Sequence, residues 1–245
     1  MSRTAEVLGA ALLVSAGLAA GGALAGAGLA RARSADRYVT VKGISEREAK
    51  ADTALWPLRV VAADDDLARA NQQLAAGTEK VKAFLGANGI PDSDTAVQEL
   101  RVTDAYADQY RAAGQVARRY VVETTLMVRS KSPETVRAAS EKVADLVRQG
   151  VVLSSRGDPE SSGPTYLFTR LNDIKPGMIA EATKRAREAA EQFARDSKSG
   201  LAGIRHATQG LFEILPRDQA PGMREGGQIE KTVRVVTTVE YFLAD

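Results

Sequence analysis

The sequence predicts an α+β protein, in which antiparallel sheets carry long amphipathic helices, preceded by an N-terminal membrane or signal helix. Strict alternation of apolar and polar residues, clearest over 120–129 and 231–243, predicts strands. Apolar residues at helical spacing between the strands predict helices packed on the sheets. The uncharged run 7–30 predicts the N-terminal helix. The chain therefore divides into an N-terminal segment, 1–37, and an α+β domain, 38–245.

The run 7–30 is long enough to cross a membrane. At about 1.5 Å per residue, a helix of this length spans roughly 36 Å, against about 30 Å of hydrocarbon. Ala23-Leu24-Ala25 also forms a small-residue site that permits cleavage before Gly26, as in a signal peptide. We expect an extracytoplasmic, periplasmic location. The domain is then either anchored in the inner membrane by 7–30 or released after cleavage.

Composition excludes some chemistries and partners. The chain has no cysteine, which removes disulfides, thiol nucleophiles and cysteine-based metal sites. Residues 38–245 carry equal numbers of basic and acidic side chains. Because nucleic-acid binders present a net basic surface, we expect no nucleic-acid partner.

The first folded stretch predicts two strands. The β-branched run 38–44 contains Gly43, which indicates a turn near Ser45, and alternation resumes over 51–58. Proline has no N–H to donate, so we expect Pro57 at an edge or a bulge, where the ladder needs no donor.

A helix follows, with Leu67, Ala70, Leu74, Val81, Phe84 and Leu85 at helical spacing and a stop near 86–89. Asp64, Asp65 and Asp66 precede it. Three aspartates suggest a metal site, but the stretch lacks the spaced oxygens and distal glutamate of a calcium loop. Capping of the helix N-terminus is the favoured interpretation.

Two strands, 95–110 and 115–129, predict a long hairpin around 111–114. Aromatic and basic residues gather near its turn: Tyr106, Tyr110, Tyr120, Arg111, Arg118 and Arg119. They are compatible with a stacking surface for a ligand or glycan, whereas cross-strand aromatic pairing is the simpler explanation.

The second half of the domain repeats the pattern. Pro133 opens a helix that ends before Gly150, and short strands are predicted at 151–156 and 164–171. Pro176 opens the longest amphipathic helix, with Met178, Ala182, Ala186, Ala189 and Phe193 on its inner side. Strands at 204–214 and 231–243 close the domain, and the turn-rich stretch 216–227 predicts a mobile surface loop. The order is β-β-α-β-β-α-β-β-α-β-β.

Four segments resemble the SIMPL-domain family. They are the early strand VTVKGISEREAKAD, the helix PGMIAEATKRAREAAEQFA, the strand GIRHATQG that follows it, and the closing VRVVTTVEYFL. The resemblance covers roughly 38–245. It implies an α+β domain outside the cytoplasm, associated with the envelope or with stress, without an agreed catalytic activity or cofactor. It provides no catalytic, cofactor-binding or metal-binding residues.

Catalytic motifs are absent from the sequence. His206 is the single histidine, no G-x-S-x-G string surrounds a serine, and no phosphate-binding glycine string follows a strand. We interpret His206 as a strand surface or interface residue. The prediction is that the protein is not an enzyme and uses no cofactor.

Two functions from different classes remain. The leading hypothesis is an exported, non-enzymatic envelope protein that forms homo-oligomers or binds an envelope protein partner through strand edges, the hairpin or helix faces. The alternative is a periplasmic small-molecule or glycan-binding module, or a carboxylate-based hydrolase. It requires a pocket that joins Trp56, Tyr106 or Tyr110 to two close carboxylates.

Overall fold

The computed structural model describes residues 3–34, 37–107, 118–154 and 163–244. In chain order the elements are α1 (Arg3–Ser34), β1 (Tyr38–Lys50), β2 (Thr53–Asp64), α2 (Leu67–Ala87), β3 (Thr95–Asp104), β4 (Tyr120–Ser130), α3 (Pro133–Ser140), α4 (Ala144–Arg148), β5 (Thr165–Leu167), α5 (Leu171–Asp196), β6 (Gly200–Pro216) and β7 (Glu230–Ala244). Single 3₁₀ turns lie at Asp92–Asp94 and Glu225–Gly227. The architecture confirms the α+β prediction.

The strands form two sheets. One has the order β1-β7-β6, and the other has the order β3-β4-β2-β5. Two compact units result. Unit 1 consists of 1–45, 176–212 and 235–245, and unit 2 consists of 46–175 and 213–234.

The N-terminal segment is helical. In α1, the described side chains 13–28 are exposed, including Leu13, Val14, Leu18 and Leu24. Within the described ranges of the chain, no helix combines the length and the apolar character needed to cross a membrane.

Unit 2 is built on the antiparallel pair β2–β4, registered from Ala54↔Ser130 to Asp64↔Tyr120. Alternate side chains of both strands face α2 and form the core with it. Trp56 is 1% exposed in this core. The buried side chains on α2 are ones that helical spacing predicts: Ala70, Leu74, Val81, Phe84 and Leu85. Leu67, which was also predicted to face the core, is exposed at the first helical position.

Pro57 lies where the prediction places it. β5 pairs with β2 only at Thr53–Leu55, and the next contact on that side is the isolated bridge Val60↔Leu153. Pro57 falls in the gap between them, where no donor is required.

The segment between β4 and α5 differs from the prediction. The expected single helix is two short ones, α3 and α4, although Pro133 does occupy the first turn. Of the strand expected at 151–156, the structure describes 151–154, where Leu153 forms an isolated bridge with Val60 and Val152 O accepts from Val61 N at 3.0 Å. The strand expected at 164–171 is the three-residue β5. The predicted hairpin turn at 111–114 lies outside the described residues.

Unit 1 packs α5 against its sheet through small side chains. Residues at every fourth position are buried: Met178, Ala182, Ala186, Ala190 and Ala194. A Cβ added to Gly43 of β1 would lie 1.8 Å from the carbonyl oxygen of Ala182 and 2.6 Å from the nitrogen of Ala186. The two backbones therefore touch, and only glycine fits at this position of β1.

This contact explains two differences from the sequence predictions, and the start of α5 is a third, separate difference. Gly43 marks a close approach, so β1 runs straight through Ser45 instead of turning there. Phe193 is exposed, because the inner face of α5 follows a strict four-residue spacing that carries alanine. Pro176 lies inside α5, which begins at Leu171.

Polar ties fix the same contact. The Ser45 hydroxyl is fully buried and donates to Glu181 Oε2 at 2.8 Å. Glu181 Oε1 accepts from Arg185 Nη2 at 2.6 Å, and Arg185 Nη1 donates to the Ile44 carbonyl at 2.9 Å. The buried hydroxyl is thus satisfied by a charged acceptor.

In unit 2, Asp52 holds the chain just before α5. Its carboxylate accepts from the Thr169 hydroxyl at 2.7 Å, from Thr169 N at 2.8 Å and from Arg170 N at 3.2 Å. It also accepts from the Thr53 hydroxyl at 2.9 Å. Burial alone would raise the pKa of Asp52, but the hydrogen bonds from Thr169, Thr53 and Arg170 outweigh it and hold this pKa below its ordinary value.

We expect Gly43→Ala to lower the free energy of unfolding by more than about 2 kcal/mol, because β1 and α5 must separate to admit the methyl group. Chemical denaturation followed by circular dichroism measures this change. Gly86→Ala in α2 is the control, since its Cβ would meet nothing within 4 Å. An equal loss of stability in both variants would contradict the contact.

We expect Asp52→Asn to lower the free energy of unfolding by about 1–2 kcal/mol at pH 7, since the hydrogen bonds lose their charged acceptor. The pKa of Asp52 is lower when folded, so its contribution is fully present above the ordinary pKa of 3.8 and is lost as pH falls through the folded pKa. The stability difference between wild type and variant should therefore shrink on acidification to about pH 3. Denaturation curves at both pH values measure it, and a difference independent of pH would refute the assignment.

Candidate functional site

The candidate site is the outer edge of β6. This strand pairs with β7 on one side and ends the sheet on the other. Residues 202–209 are exposed without interruption, so neither face of this stretch is covered. Ile204 is 54% and Leu211 88% exposed, and they point to opposite faces because their spacing is odd. In unit 1, β6 thus presents a free backbone edge flanked by exposed apolar side chains.

Edge strands of this length usually carry protection against pairing. The common devices are proline, lysine, an inward-pointing charge or a bulge. Residues 200–212 contain no proline and no lysine, and Arg205 is their single formal charge.

Arg205 is directed back over its own sheet. Its Nη1 lies 3.3 Å from Glu240 Oε2 on β7, and its Cζ lies 4.1 Å from the centre of the Tyr38 ring on β1. The guanidinium therefore makes an ion pair and a cation–π contact within unit 1. Because the Arg205 guanidinium is occupied by these contacts, it would repel an approaching strand only weakly.

His206 lies beside Arg205 on the exposed part of β6. Its Nε2 shares a hydrogen bond of 2.9 Å with the Thr208 hydroxyl. The interpretation of His206 as a strand surface residue is confirmed. Its described hydrogen-bond partner is a neighbour on the same strand, which provides no relay toward a nucleophile.

A buried lysine near the start of β7 was missed by sequence reasoning. Lys231 is 0% exposed, and its Nζ lies 2.6 Å from Glu225 Oε1 and donates to the Glu225 carbonyl. Lys231 lies two residues before Val233 and four before Val235, so it points to the same face of β7 as these buried valines, and this spacing could have predicted its burial.

Further bonds secure the loop 216–227, which the sequence predicted to be mobile. Gln228 Nε2 donates to the Asp218 carbonyl at 2.9 Å, and Asp218 N donates to Gln228 Oε1 at 3.1 Å. Together with Lys231, these bonds fix the base of the loop.

The three aspartates before α2 serve the fold. Asp66 accepts from Ala68 N and Arg69 N, which confirms the capping interpretation. The backbone N–H of Asp66 and the Arg69 guanidinium hold the pKa of Asp64 below its usual value. Likewise, Arg119 N and the Arg118 side chain lower the pKa of Asp65. Across the described ranges, no three histidine, aspartate or glutamate side chains group as a metal site.

In place of the predicted cross-strand tyrosine pairing, an arginine lies over the rings of two tyrosines. Arg119 stands between two rings, with its Cζ 5.5 Å from the Tyr106 centroid and 4.8 Å from the Tyr120 centroid. Asp104 holds the guanidinium at 3.1 Å, and this bond lowers the pKa of Asp104. The arrangement is a cation–π cluster on an exposed hairpin end. Tyr110 and Arg111 lie outside the described residues.

Of the residues that suggested a hydrolase pocket, Tyr110 lies outside the described residues, and neither Trp56 nor Tyr106 lines either of the two described grooves. Trp56 is enclosed in the core of unit 2. Two grooves on unit 2, of about 250 and 370 Å³, each carry one carboxylate, Glu79 and Asp94 respectively. Paired carboxylates are therefore not brought together in either groove.

Comparison with protein-family models assigns the stretch from β1 to β7 to a known family. The family model SIMPL, described as a protein of unknown function (DUF541), matches residues 39–241. The chain belongs to the SIMPL family. The match spans both units of the SIMPL domain, from β1 to β7.

Other comparisons add little to the SIMPL assignment. No curated protein matches the chain. A similar solved structure is the crystal structure of an uncharacterized conserved protein from Listeria innocua, with 14% identity and a TM-score of 0.20. The alignment covers 78% of this chain and 91% of that chain.

Proposed function

We propose that this SIMPL protein is an exported, non-enzymatic component of the cell envelope that acts by self-association. The surface that we assign to this role is the edge of β6, and the occupant is β6 of a second copy. The observation that carries the proposal is the uninterrupted exposure of 202–209 along an unpaired edge strand.

The chemistry of the edge supports a strand as the occupant. A free row of N–H and C=O groups binds another strand by backbone hydrogen bonds, whichever side chains the partner carries. Pairing two copies of β6 would cover Ile204 and Leu211, which are exposed in the single chain. It would also remove the exposed edge from both copies, which closes the assembly at a dimer interface.

Features of the N-terminal segment support export. The run 7–30 is uncharged, Arg31 and Arg33 follow it, and Ala23-Leu24-Ala25 provides the small residues of a cleavage site. The absence of cysteine makes the domain indifferent to an oxidising compartment. The envelope location of the proposed assembly rests on these sequence features.

The non-enzymatic part of the proposal rests on the geometry of the candidate residues. His206 bonds to Thr208, and Asp64, Asp65 and Asp104 are engaged by arginine side chains or backbone N–H groups. Groups held in this way are committed to structure and are poor general bases.

The assembly prediction concerns Ile204→Lys combined with Leu211→Lys. We expect the wild-type protein to be a dimer or larger at micromolar concentration, and the double variant to be a monomer with an unchanged circular dichroism spectrum. Lysines on an edge strand oppose pairing because their charges would be buried or brought together. Light scattering coupled to size-exclusion chromatography measures the mass.

Val147→Lys is the matched control, since Val147 is a similarly exposed aliphatic residue on α4 of unit 2. It should leave the mass of the assembly unchanged. A wild-type monomer at every concentration, or an assembly that the β6 lysines do not affect, would refute the proposal.

The export prediction is tested by expressing the full chain in a Gram-negative host, with fractionation and intact mass. A periplasmic product that begins near Gly26 indicates a cleaved signal, and a full-length product in the inner membrane indicates a retained anchor. Both outcomes support an envelope location. A full-length product confined to the cytoplasmic fraction would contradict it.

A further inference from the structure

The open face of the unit 2 sheet carries a cavity of about 370 Å³ that no part of the proposed function uses. It lies on the side of β2 and β4 opposite to α2, because its lining residues alternate with those of the core. Its floor is apolar and consists of Leu55 on β2, Met127 on β4 and Ala96 on β3. Ala96 and Met127 are directly opposite each other in the β3–β4 pairing.

Two side chains of opposite charge line this cavity without meeting each other. Arg129 lies directly opposite Leu55 in the β2–β4 register, and Asp94 comes from the 3₁₀ turn before β3. Among the described residues, Arg129 has no ion-pair or hydrogen-bond partner. Asp94 has only a long contact of 3.5 Å from the neighbouring Ser93 hydroxyl to its side chain. Both charges are therefore available to a ligand.

A third polar group is brought in by an irregularity of β3. Val97 pairs with Leu126 and Glu99 with Thr125, so Gln98 is an extra residue at a β-bulge. Bulges redirect a side chain and recur beside binding sites. Gln98 lines the cavity, and its amide has no described hydrogen-bond partner.

We infer that this cavity binds a small zwitterion with an apolar body, such as a short peptide with free termini. The ligand carboxylate binds the Arg129 guanidinium, which suits a planar anion. The ligand ammonium binds the Asp94 carboxylate, Gln98 donates or accepts a further hydrogen bond, and the apolar body covers Leu55 and Met127. An apolar floor with a few convergent polar groups is the usual composition of a small-molecule site.

The cavity is lined by one positive and one negative side chain, Arg129 and Asp94, and this pairing of charges favours a zwitterion. An anion alone would leave Asp94 facing it, and a cation alone would face Arg129. A zwitterion satisfies both groups at once. This inference is independent of the β6 edge, which belongs to unit 1.

Methionine-methyl NMR on the full chain tests the inference with residue resolution. The probe is the dipeptide L-leucyl-L-leucine, and Met127 in the floor reports binding. Met178, fully buried in unit 1, and Met223 on the loop are internal controls. We expect a saturable shift of the Met127 methyl signal and none at Met178 or Met223. N-acetyl-leucine amide, which lacks both charges, should produce no saturable shift.

Arg129→Gln and Asp94→Asn should each weaken the dipeptide affinity by about tenfold or more, since each removes a charge-assisted hydrogen bond. Arg148→Gln, an exposed arginine on α4 that pairs with Asp145, is the matched control and should leave the affinity unchanged. Arg129 and Arg148 are exposed, and Asp94 is half-buried in a short 3₁₀ turn, so the variants should retain the fold. The inference is overturned if Met127 does not shift saturably, if both cavity variants bind as wild type does, or if the uncharged probe binds equally well.

Discussion

Unit 1 depends on the contact between the backbones of β1 and α5 at Gly43. A Cβ at this position would lie 1.8 Å from the Ala182 carbonyl oxygen, so the helix occupies the space of the missing side chain. That proximity favours alanine at 182 and 186, because a larger side chain at either position would push the helix away from β1. Small side chains bury little apolar surface each, and the Ser45–Glu181–Arg185 bonds add polar attachment at the same place.

The same contact shows which parts of the fold a sequence can predict. The alternation in β4 and β7 and the aspartate cap at Asp66 are local sequence signals, and each predicted the observed structure correctly. Gly43 was misread because a glycine signals a turn and a close approach equally well. Phe193 was misplaced because spacings of three and four residues define two neighbouring helix faces, and only the partner surface decides between them.

The candidate sites were less predictable than the fold, because they depend on pairing between distant segments. Arg129 faces Leu55 only through the β2–β4 register, which the sequence does not specify. Trp56 is one residue further along, and the register turns it into the core, away from any ligand. Lys231 was a visible anomaly in an apolar row, but its partner Glu225 meets it only once the loop has folded back.

The two sheets end in edges of different character, and this difference supports separate roles for them. β3 carries exposed Val97, Leu100 and Val102, yet its ladder is interrupted by the bulge at Gln98. On its other face, Arg101 lies 2.9 Å from Glu99 and 3.6 Å from Glu123, so both signs of charge line that edge.

A bulge and flanking charges discourage strand addition, and the same bulge presents Gln98 to the cavity. Over 202–209, the single charged side chain of β6 is Arg205, and it is turned back onto Glu240 and Tyr38. Of these two edge strands, β6 is therefore the one suited to pairing with another strand, and β3 is the one suited to shaping a small-molecule site.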